Sequence, residues 1–176
     1  MSTLPAGSIL DIGCGNSKTP GAVGIDILPG PQVDIVHDLN KLPWPLEENR
    51  FDRIVCSHVL EHLNDLVGVM NEIHRVSRHG ASVELLTPHF SSLNSWEDPT
   101  HTRHFARRSF EFFDTSKKHH YTDRCMKTRQ VDLTFGSGLW DLMGKVHYAL
   151  WPNLWEKHFC FIWRARNLKA VLEVVK

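Results

Sequence analysis

Apolar and polar positions alternate in short blocks through the first half of the chain. Compact runs of β-prone residues are separated there by polar turns and by one longer helical pattern. Apolar runs of about four to eight residues bounded by Gly, Pro, Asn or Asp are typical of buried strands. Five such runs predict strands at residues 8–12, 23–26, 33–37, 53–56 and 82–87.

A helical pattern separates the fourth run from the fifth. Its predicted N-cap is Asn64, and Gly80 is the predicted end of the connection. Strands that alternate with helices favour parallel pairing through right-handed crossovers. Two later β-rich runs, at 129–135 and 168–175, lack this spacing. One face of the helix carries residues that recur at intervals of three or four: Leu63, Val67, Met70, His74 and Ser77.

The first two predicted strands carry acidic residues at or near their ends, and a glycine turn follows the first of them. Asp11 precedes the Gly-x-Gly turn of Gly13, Cys14 and Gly15, and the second strand ends at Asp26. Glycine lets a backbone turn sharply and approach a ligand closely. An acidic residue at the end of the second strand can accept hydrogen bonds from the hydroxyls of a ribose. The pattern therefore predicts a nucleoside-containing ligand.

Dinucleotides and S-adenosylmethionine (SAM) are both bound by this arrangement. The dinucleotide fingerprint needs a third small residue where this chain has Lys18. Pro20 and Gly21 also prevent a regular helix behind the loop. A pyrophosphate site, and with it a nicotinamide-dependent oxidoreductase, is therefore disfavoured.

Four segments, in the right order, resemble motifs of class I SAM-dependent methyltransferases, and in particular of the type 11 methyltransferase group. The family patterns are D-I-G-C-G, D-L-x-x-L-P-F, FD-x-V-x-x-x-x-V-L-E-H and E-x-x-R-V-L-K-P-G-G. His79 stands where the last pattern has Pro, a change expected to alter only a surface turn. The corresponding segments are residues 11–15, 39–46, 51–63 and 72–80.

The resemblance implies an α/β protein with a Rossmann-like class I methyltransferase fold. Its mostly parallel seven-stranded sheet would have the order 3-2-1-4-5-7-6 and an antiparallel last strand, with the two late runs as strands 6 and 7. Residues 1–176 would form a single SAM-dependent methyltransferase domain.

The resemblance also implies SAM as cofactor and S-adenosylhomocysteine (SAH) as product. Asp38 and Leu39 would form the wall of the adenine site. The cofactor-binding residues that the motifs imply are Asp11, Gly13, Cys14, Gly15, Asp26, Ile27, Asp38, Leu39, Ser57, His58 and His62.

Candidate catalytic residues follow from the chemistry of methyl transfer. The enzyme must hold a nucleophile in line with the methyl donor, and a hydroxyl nucleophile benefits from a general base such as histidine. His101 is the first candidate base and His89 the second, because both follow the fifth strand on the side where open α/β sheets bind ligands. The alternative is that such histidines only fix the loop by hydrogen bonds.

A metal site is a further alternative for this loop. Asp98, His101 and His104 could supply mixed nitrogen and oxygen ligands, joined by His89. The spacing matches no well-attested zinc pattern, and we therefore predict that no metal is bound.

Two departures from the family pattern change the expected shape of the pocket. Residues 16–20 can hold no more than a turn, so the first crossover helix is essentially lost, and the chain starts at the first strand without a preceding helical lid. An aromatic insert at about residues 136–165 separates the last two strands. Ordinary core packing, a dimer face, a lid over the substrate and an interfacial membrane helix all remain open for it. Its apolar residues at helical spacing are Trp140, Met143, His147, Leu150 and Leu154.

The charge distribution and the cysteine spacing disfavour several classes of function. The net charge is zero, but residues 1–100 are acidic and residues 101–129 are basic, with 8 Lys/Arg against 3 Asp/Glu. The basic stretch is either a solvated surface or an attraction for an anionic acceptor. Nucleic-acid binding is disfavoured because no broad basic footprint exists. Scattered cysteines, no secretion signal and no spanning segment predict a cytoplasmic protein.

These observations predict a SAM-dependent methyltransferase (EC 2.1.1.-) that transfers a methyl group to a small-molecule acceptor, at an oxygen atom. The acceptor would be anionic or hydrophobic. The alternative is a non-catalytic SAM- or SAH-binding subunit of a larger methyltransferase assembly, because the shortened first crossover and missing lid leave the pocket open to a partner or a second copy.

Overall fold

The computed structural model of the protein describes residues 8–117 and 121–176. Two segments lie outside the described residues: residues 118–120 of the basic stretch, and the segment before residue 8, where no helical lid was expected. One seven-stranded sheet organises the described chain. Its strands are β1 (Ile9–Ile12), β2 (Ala22–Asp26), β3 (Ile35–Val36), β4 (Phe51–Ser57), β5 (Ser77–Pro88), β6 (Cys125–Thr134) and β7 (Asn167–Val175).

The sheet has the order β3-β2-β1-β4-β5-β7-β6. The first five strands pair in parallel, while β7 lies antiparallel to both β5 and β6. The predicted class I methyltransferase fold is thereby confirmed. Parallel strands bring their carboxyl ends to one edge, so the segments that follow β1, β2, β4 and β5 meet there.

Helix α1 (Leu66–Val76) forms the crossover between β4 and β5. It begins one residue later than predicted, because the Asp65 side chain, not that of Asn64, accepts a hydrogen bond from the Gly68 amide at 2.9 Å. The helix ends at Val76, and Gly80 lies inside β5, which starts earlier than predicted. The face toward the sheet is buried, including Val69, Met70, Ile73 and Val76.

The crossover between β1 and β2 contains no helix, as expected. Polar bonds hold this short connection: Asp11 Oδ2 accepts from the Thr19 amide at 2.6 Å, and Gln32 Oε1 accepts from the Lys18 amide at 2.8 Å. The Lys18 ammonium also lies 2.7 Å from Asp34 Oδ2. Directed hydrogen bonds thus replace the packing that a helix would have supplied.

Helices α2 (Asn94–Glu97) and α3 (Leu139–Leu150) lie in the long segments after β5 and β6. Core packing was one expectation for α3, but its only buried residue is Gly144. The segment is attached by Trp155, which is fully buried in the π-helical turn Trp155–Phe159. In the described part of the chain, no helix combines the length and apolar character needed to cross a bilayer. The exposed large apolar residues of this segment are Leu139, Trp140, Leu142, Met143, Val146, Leu150, Trp151, Leu154, Phe161 and Ile162.

Candidate functional site

The glycine turn after β1 packs directly against the turn that follows β4. Gly13 has a φ of +67°, and a Cβ atom added to it would overlap the Val59 side chain. The Gly13 amide donates to the carbonyl of Ile25 at 2.8 Å, which ties the turn to β2. Only glycine combines this backbone conformation with so close an approach. The turns after β1 and β4 therefore form one continuous floor at the carboxyl edge of the sheet.

Asp26 faces this floor from the end of β2. Its carboxylate accepts hydrogen bonds from the Gly15 amide at 2.9 Å and from the Leu28 amide at 3.0 Å. Two carboxylate oxygens offer about four acceptor positions, so acceptor capacity remains for ribose hydroxyls. Open space surrounds Gly15, and Ile27 exposes an apolar side chain beside the carboxylate. Free acceptor capacity and an exposed apolar side chain therefore lie side by side at the end of β2.

Asp11 and Cys14 support the loop from behind. Both are buried, and Asp11 is engaged by the Thr19 amide. Burial, reinforced by the nearby Asp11 and Asp26 charges, raises the pKa of the Cys14 thiol, so it stays protonated and chemically quiet. These two residues shape the turn, and their part in cofactor binding stays a prediction.

The predicted adenine wall lies after β3. Asp38 Oδ1 accepts from the Asn40 amide at 3.0 Å, which fixes the turn. The Leu39 side chain is buried in the core, and its carbonyl accepts from the Trp44 indole at 3.1 Å. A ligand at this turn would meet the backbone of Leu39 rather than its side chain.

A cleft of about 370 Å³ opens beyond the carboxyl ends of β4 and β5. Ser57 ends β4 and precedes it, and His58 has a φ of +56°, which turns the chain into the cleft wall. His58 Nδ1 lies 3.3 Å from Glu61 Oε1. The lining residues are His58, Glu61, His62, Pro88, Asn94, Glu97, Asp98 and His101.

His62 and His101 face each other in this cleft, with ring centroids 4.6 Å apart. His62 Nδ1 lies 2.9 Å from Thr100 Oγ1, and His101 Nδ1 lies 3.4 Å from the Ser95 carbonyl. The loop that carries His101 is fixed to the turn after β4, because the Thr102 amide donates to the Glu61 carbonyl at 2.8 Å. A predicted cofactor residue and the first candidate base are thus brought together.

His89 lies apart from this group. Its side chain is 0% exposed, with Nδ1 2.8 Å from Ser91 Oγ and Nε2 3.3 Å from Glu156 Oε1. Burial tends to raise the pKa of the Glu156 carboxyl, but the His89 ring and the Arg107 amide outweigh burial and lower it. The ring therefore connects the end of β5 to the aromatic segment. Both of its nitrogens are engaged within the protein.

His104 is also separate from the facing pair. It stacks on Trp96 with ring centroids 3.6 Å apart, and its Nδ1 lies 2.9 Å from Ser95 Oγ. Asp98 does line the cleft, but its Oδ1 is occupied by Thr100. Glu61 lies in a family motif next to His62, so its place near the cleft was visible in the sequence. Glu156 was not predicted, because nothing local in the sequence marks it.

Comparisons with known proteins agree with this geometry. Residues 10–84 match the type 11 methyltransferase family model, described as "Methyltransferase domain". No curated protein sequence gives a significant match. Over β1 to β5, where the family motifs lie, the chain is accordingly similar to SAM-dependent methyltransferases.

Solved structures show the same fold at low sequence identity. A SAM dependent methyltransferase from Archaeoglobus fulgidus is 18% identical, with a TM-score of 0.63 over 94% of this chain and 85% of that one. The YcgJ protein of Bacillus subtilis is 15% identical, with a TM-score of 0.60 over 96% and 92%. A Haloferax volcanii methyltransferase, solved in complex with the Trm112 methyltransferase activator, is 13% identical, with a TM-score of 0.57 over 96% and 83%.

Proposed function

We propose that the protein transfers a methyl group from SAM to an oxygen atom of a small-molecule acceptor in the cytoplasm. The observation that carries the proposal is the contact between Gly13 and Val59, which joins the glycine turn to the histidine-lined cleft. A cofactor bound at the glycine turn would present its methyl group to an acceptor in the histidine-lined cleft. SAM supplies an activated methyl group, so the protein's task is to position the acceptor and remove a proton.

Asp26 and the glycine turn are proposed to hold the nucleoside. Asp26→Ala removes a charged acceptor from the ribose hydroxyls and releases the Gly15 and Leu28 amides. Hydrogen bonds to a charged group contribute about 1.5–3 kcal/mol, so SAM affinity should fall by about one to two orders of magnitude. Titration calorimetry measures this loss. Asp52→Ala is the matched control, because Asp52 lies at the opposite end of β4 beside Arg78. Unchanged SAM affinity in Asp26→Ala would refute the assignment.

His101 is proposed to act on the acceptor hydroxyl. Its ring lines the cleft, whereas the ring of His89 is buried against Glu156. A general base contributes about 10²–10⁴-fold, so His101→Ala should lower kcat by that factor and leave SAM affinity nearly unchanged. Normal turnover in the variant would leave His101 as a loop-fixing residue, and His89→Ala would then be measured.

The acceptor is best sought without prior assumptions. Extracts of cells with and without the protein are compared by mass spectrometry for compounds that gain a methyl group. An oxygen-linked methyl on a small molecule is expected. A methyl found only on nitrogen, carbon or nucleic acid would contradict the proposed acceptor class.

A second function is favoured by the apolar surface of α3. Several of its large side chains are exposed, among them Leu139, Trp140 and Leu150, and large apolar patches often mark protein interfaces. A non-catalytic SAM- or SAH-binding subunit, or one that needs an activator, would use such a surface. The Haloferax volcanii neighbour was solved with an activator protein. Tight SAM binding without turnover in any extract, together with a stable complex on size-exclusion chromatography, would favour this function.

A further inference from the structure

We propose that Glu61, His62 and His101 form a binding site for one divalent transition-metal ion. Each residue offers a ligand atom, and the three atoms lie within 4.8 Å of one another. Metal–ligand bonds of about 2.0–2.2 Å require a closer set, so the three side chains have to move toward one another when the ion binds. Two imidazoles and one carboxylate form a recognised donor set for Zn²⁺ and for Fe²⁺.

Glu61 is the strongest indication of a missing cation. Its side chain is 1% exposed, and neither carboxylate oxygen makes a hydrogen bond within the described structure. The nearest basic group is His58, whose Nδ1 lies 3.3 Å from Oε1 and whose own side chain is 43% exposed. A buried carboxylate without hydrogen bonds is unfavourable unless a cation compensates it. A metal ion in the cleft would supply that compensation.

His62 is held in the tautomer that a metal ligand needs. The Thr100 hydroxyl lies 2.6 Å from Asp98 Oδ1 and donates its only proton there. The oxygen of the same hydroxyl lies 2.9 Å from His62 Nδ1 and can only accept from it. The Nδ1 atom of His62 therefore carries the proton, and Nε2 keeps its lone pair free for a metal.

His101 is oriented in the same way. Its Nδ1 lies 3.4 Å from the Ser95 carbonyl, which can only accept, so the proton of the neutral ring belongs on Nδ1. The lone pair again lies on Nε2, which is 3.9 Å from Asp98 Oδ2 and thus outside hydrogen-bond distance. Histidine ligands commonly donate their second nitrogen to a carbonyl or to a carboxylate-linked group. Both rings have such a partner.

The set differs from the metal alternative raised by sequence spacing. That alternative joined Asp98, His101 and His104, with His89 as an added ligand. His104 is stacked on Trp96 and His89 is bonded to Glu156, so only His101 belongs to both sets. Asp98 lines the cleft, but its Oδ1 accepts from the Thr100 hydroxyl, which in turn accepts from His62 Nδ1.

Three protein ligands leave coordination positions open toward the cleft. A bound ion would act there as a Lewis acid on an acceptor oxygen, lowering the pKa of a coordinated hydroxyl. This role rests on the proposed function and would replace the use of His101 as a free base. Metal binding itself does not depend on methyl transfer.

The test is metal binding by tag-free, chelator-treated protein in the absence of SAM. Co²⁺ is titrated with visible absorption as the readout, and Zn²⁺ by calorimetry. One ion per chain is expected. Changes outside the ligand set already cost about 10–100-fold in affinity, so His101→Ala and Glu61→Gln should each weaken binding by at least about 100-fold.

His104→Ala is the matched control, because His104 lies in the same loop but outside the set. Circular dichroism and SAM calorimetry on every variant check that the fold is intact, and Glu61→Gln keeps the buried shape of the side chain. The inference is overturned if wild-type protein gives no stoichiometric Co²⁺ complex, or if His104→Ala loses as much affinity as His101→Ala. SAM binding without Co²⁺ binding would refute the metal site alone. Co²⁺ binding without methyl transfer to any acceptor would refute the proposed function alone.

Discussion

Two connections are held to the rest of the protein in opposite ways. One joins β1 to β2, and the other joins β6 to β7. The first is a short polar loop in which Lys18 and Thr19 are held by hydrogen bonds to Gln32, Asp34 and Asp11. The second is a long aromatic segment that buries Trp155 and leaves the rings of Trp140, Trp151 and Phe161 exposed. Directed bonds fix a loop with little apolar area, whereas aromatic packing attaches a long segment without using all of its apolar surface.

The difference also separates two regions near the candidate site. The polar loop shapes the proposed cofactor side, where a rigid backbone would present Gly15 and Asp26 to a ligand. The aromatic segment is attached at the end of β5 by the pair of Glu156 and His89, outside the lining of the cleft. A change in the loop should therefore act on cofactor binding, and a change in the segment should act first on stability.

The largest expected effect is on the packing of the aromatic segment. Trp155 is 0% exposed and contacts the rings of Phe135, Tyr148 and His89. Removing such a side chain costs about 3–5 kcal/mol, so Trp155→Ala should lower the free energy of unfolding by that amount in urea denaturation.

The matched control is Trp140→Ala. Trp140 is 62% exposed on α3, and surface substitutions usually change stability by less than about 0.5 kcal/mol. Equal losses in Trp140→Ala and Trp155→Ala would show that the face of α3 is covered in solution. The buried Trp155 and the surface residues of α3 would then not differ in their contribution to stability.

The next effect concerns the polar side of the comparison. Gly13→Ala introduces a Cβ against Val59 and forces a positive φ on alanine. Positive φ costs about 1–2 kcal/mol, and overpacking adds about 1–3 kcal/mol. We expect Gly13→Ala to destabilise the protein by about 2–5 kcal/mol in urea denaturation and to weaken SAM binding in calorimetry.

Gly21→Ala is the control for Gly13→Ala. Gly21 also has a positive φ, but a Cβ there would meet no atom within 4 Å. Gly21→Ala should therefore lose stability only through the conformational cost of a positive φ. The difference in unfolding free energy between the two variants then measures the contact with Val59. Val59→Ala in the Gly13→Ala background should recover part of that difference. No recovery would mean that the contact is not what makes Gly13 necessary.

Sequence patterns predicted the sheet side of the molecule well, because each strand there has a local signature. Asp11, Gly13 and Asp26 mark the ends of β1 and β2, and the order of all seven strands followed from the family resemblance. Boundaries were less accurate. Strand β6 begins at Cys125 rather than at residue 129, since pairing with β7 extends a strand whose own residues are mostly polar.

The positions of the site residues were predictable where a motif or a place after a strand indicates them. His58 and His62 follow β4 and His101 follows β5, and all three line the cleft beyond the ends of these strands. The burial of His89 depends on Glu156, which lies 67 residues away, and no local pattern reports such a contact. Helical spacing in α3 indicated an apolar face but could not show whether another surface covers it, since the same pattern serves core and interface.

A smaller effect appears as a pH dependence on the aromatic side. The Glu156 carboxyl is partly buried, which by itself raises its pKa, but hydrogen bonds from His89 and the Arg107 amide lower the pKa below the usual 4.5. A carboxyl with a lowered pKa contributes stability above its unfolded-state pKa, and this contribution is lost as pH falls through the folded-state value. Wild-type stability should therefore decrease as pH drops below about 4.5. Denaturation across this range should show a weaker decrease in Glu156→Gln, and identical curves would contradict the assignment.

The smallest effect is the corresponding pH dependence of the polar loop. Asp34 accepts from the Gly24 amide and from the Lys18 ammonium, and these bonds lower the pKa of its carboxyl below the usual 3.8. Its contribution is present above about pH 3.8 and is lost on further acidification. Because the pair is partly exposed, salt screens it. Asp34→Asn should flatten the stability curve only below about pH 3.8, and less so in high salt, whereas the Glu156 effect should persist in salt. Equal salt sensitivity of the two variants would show that the loop and the aromatic segment are held by the same kind of interaction.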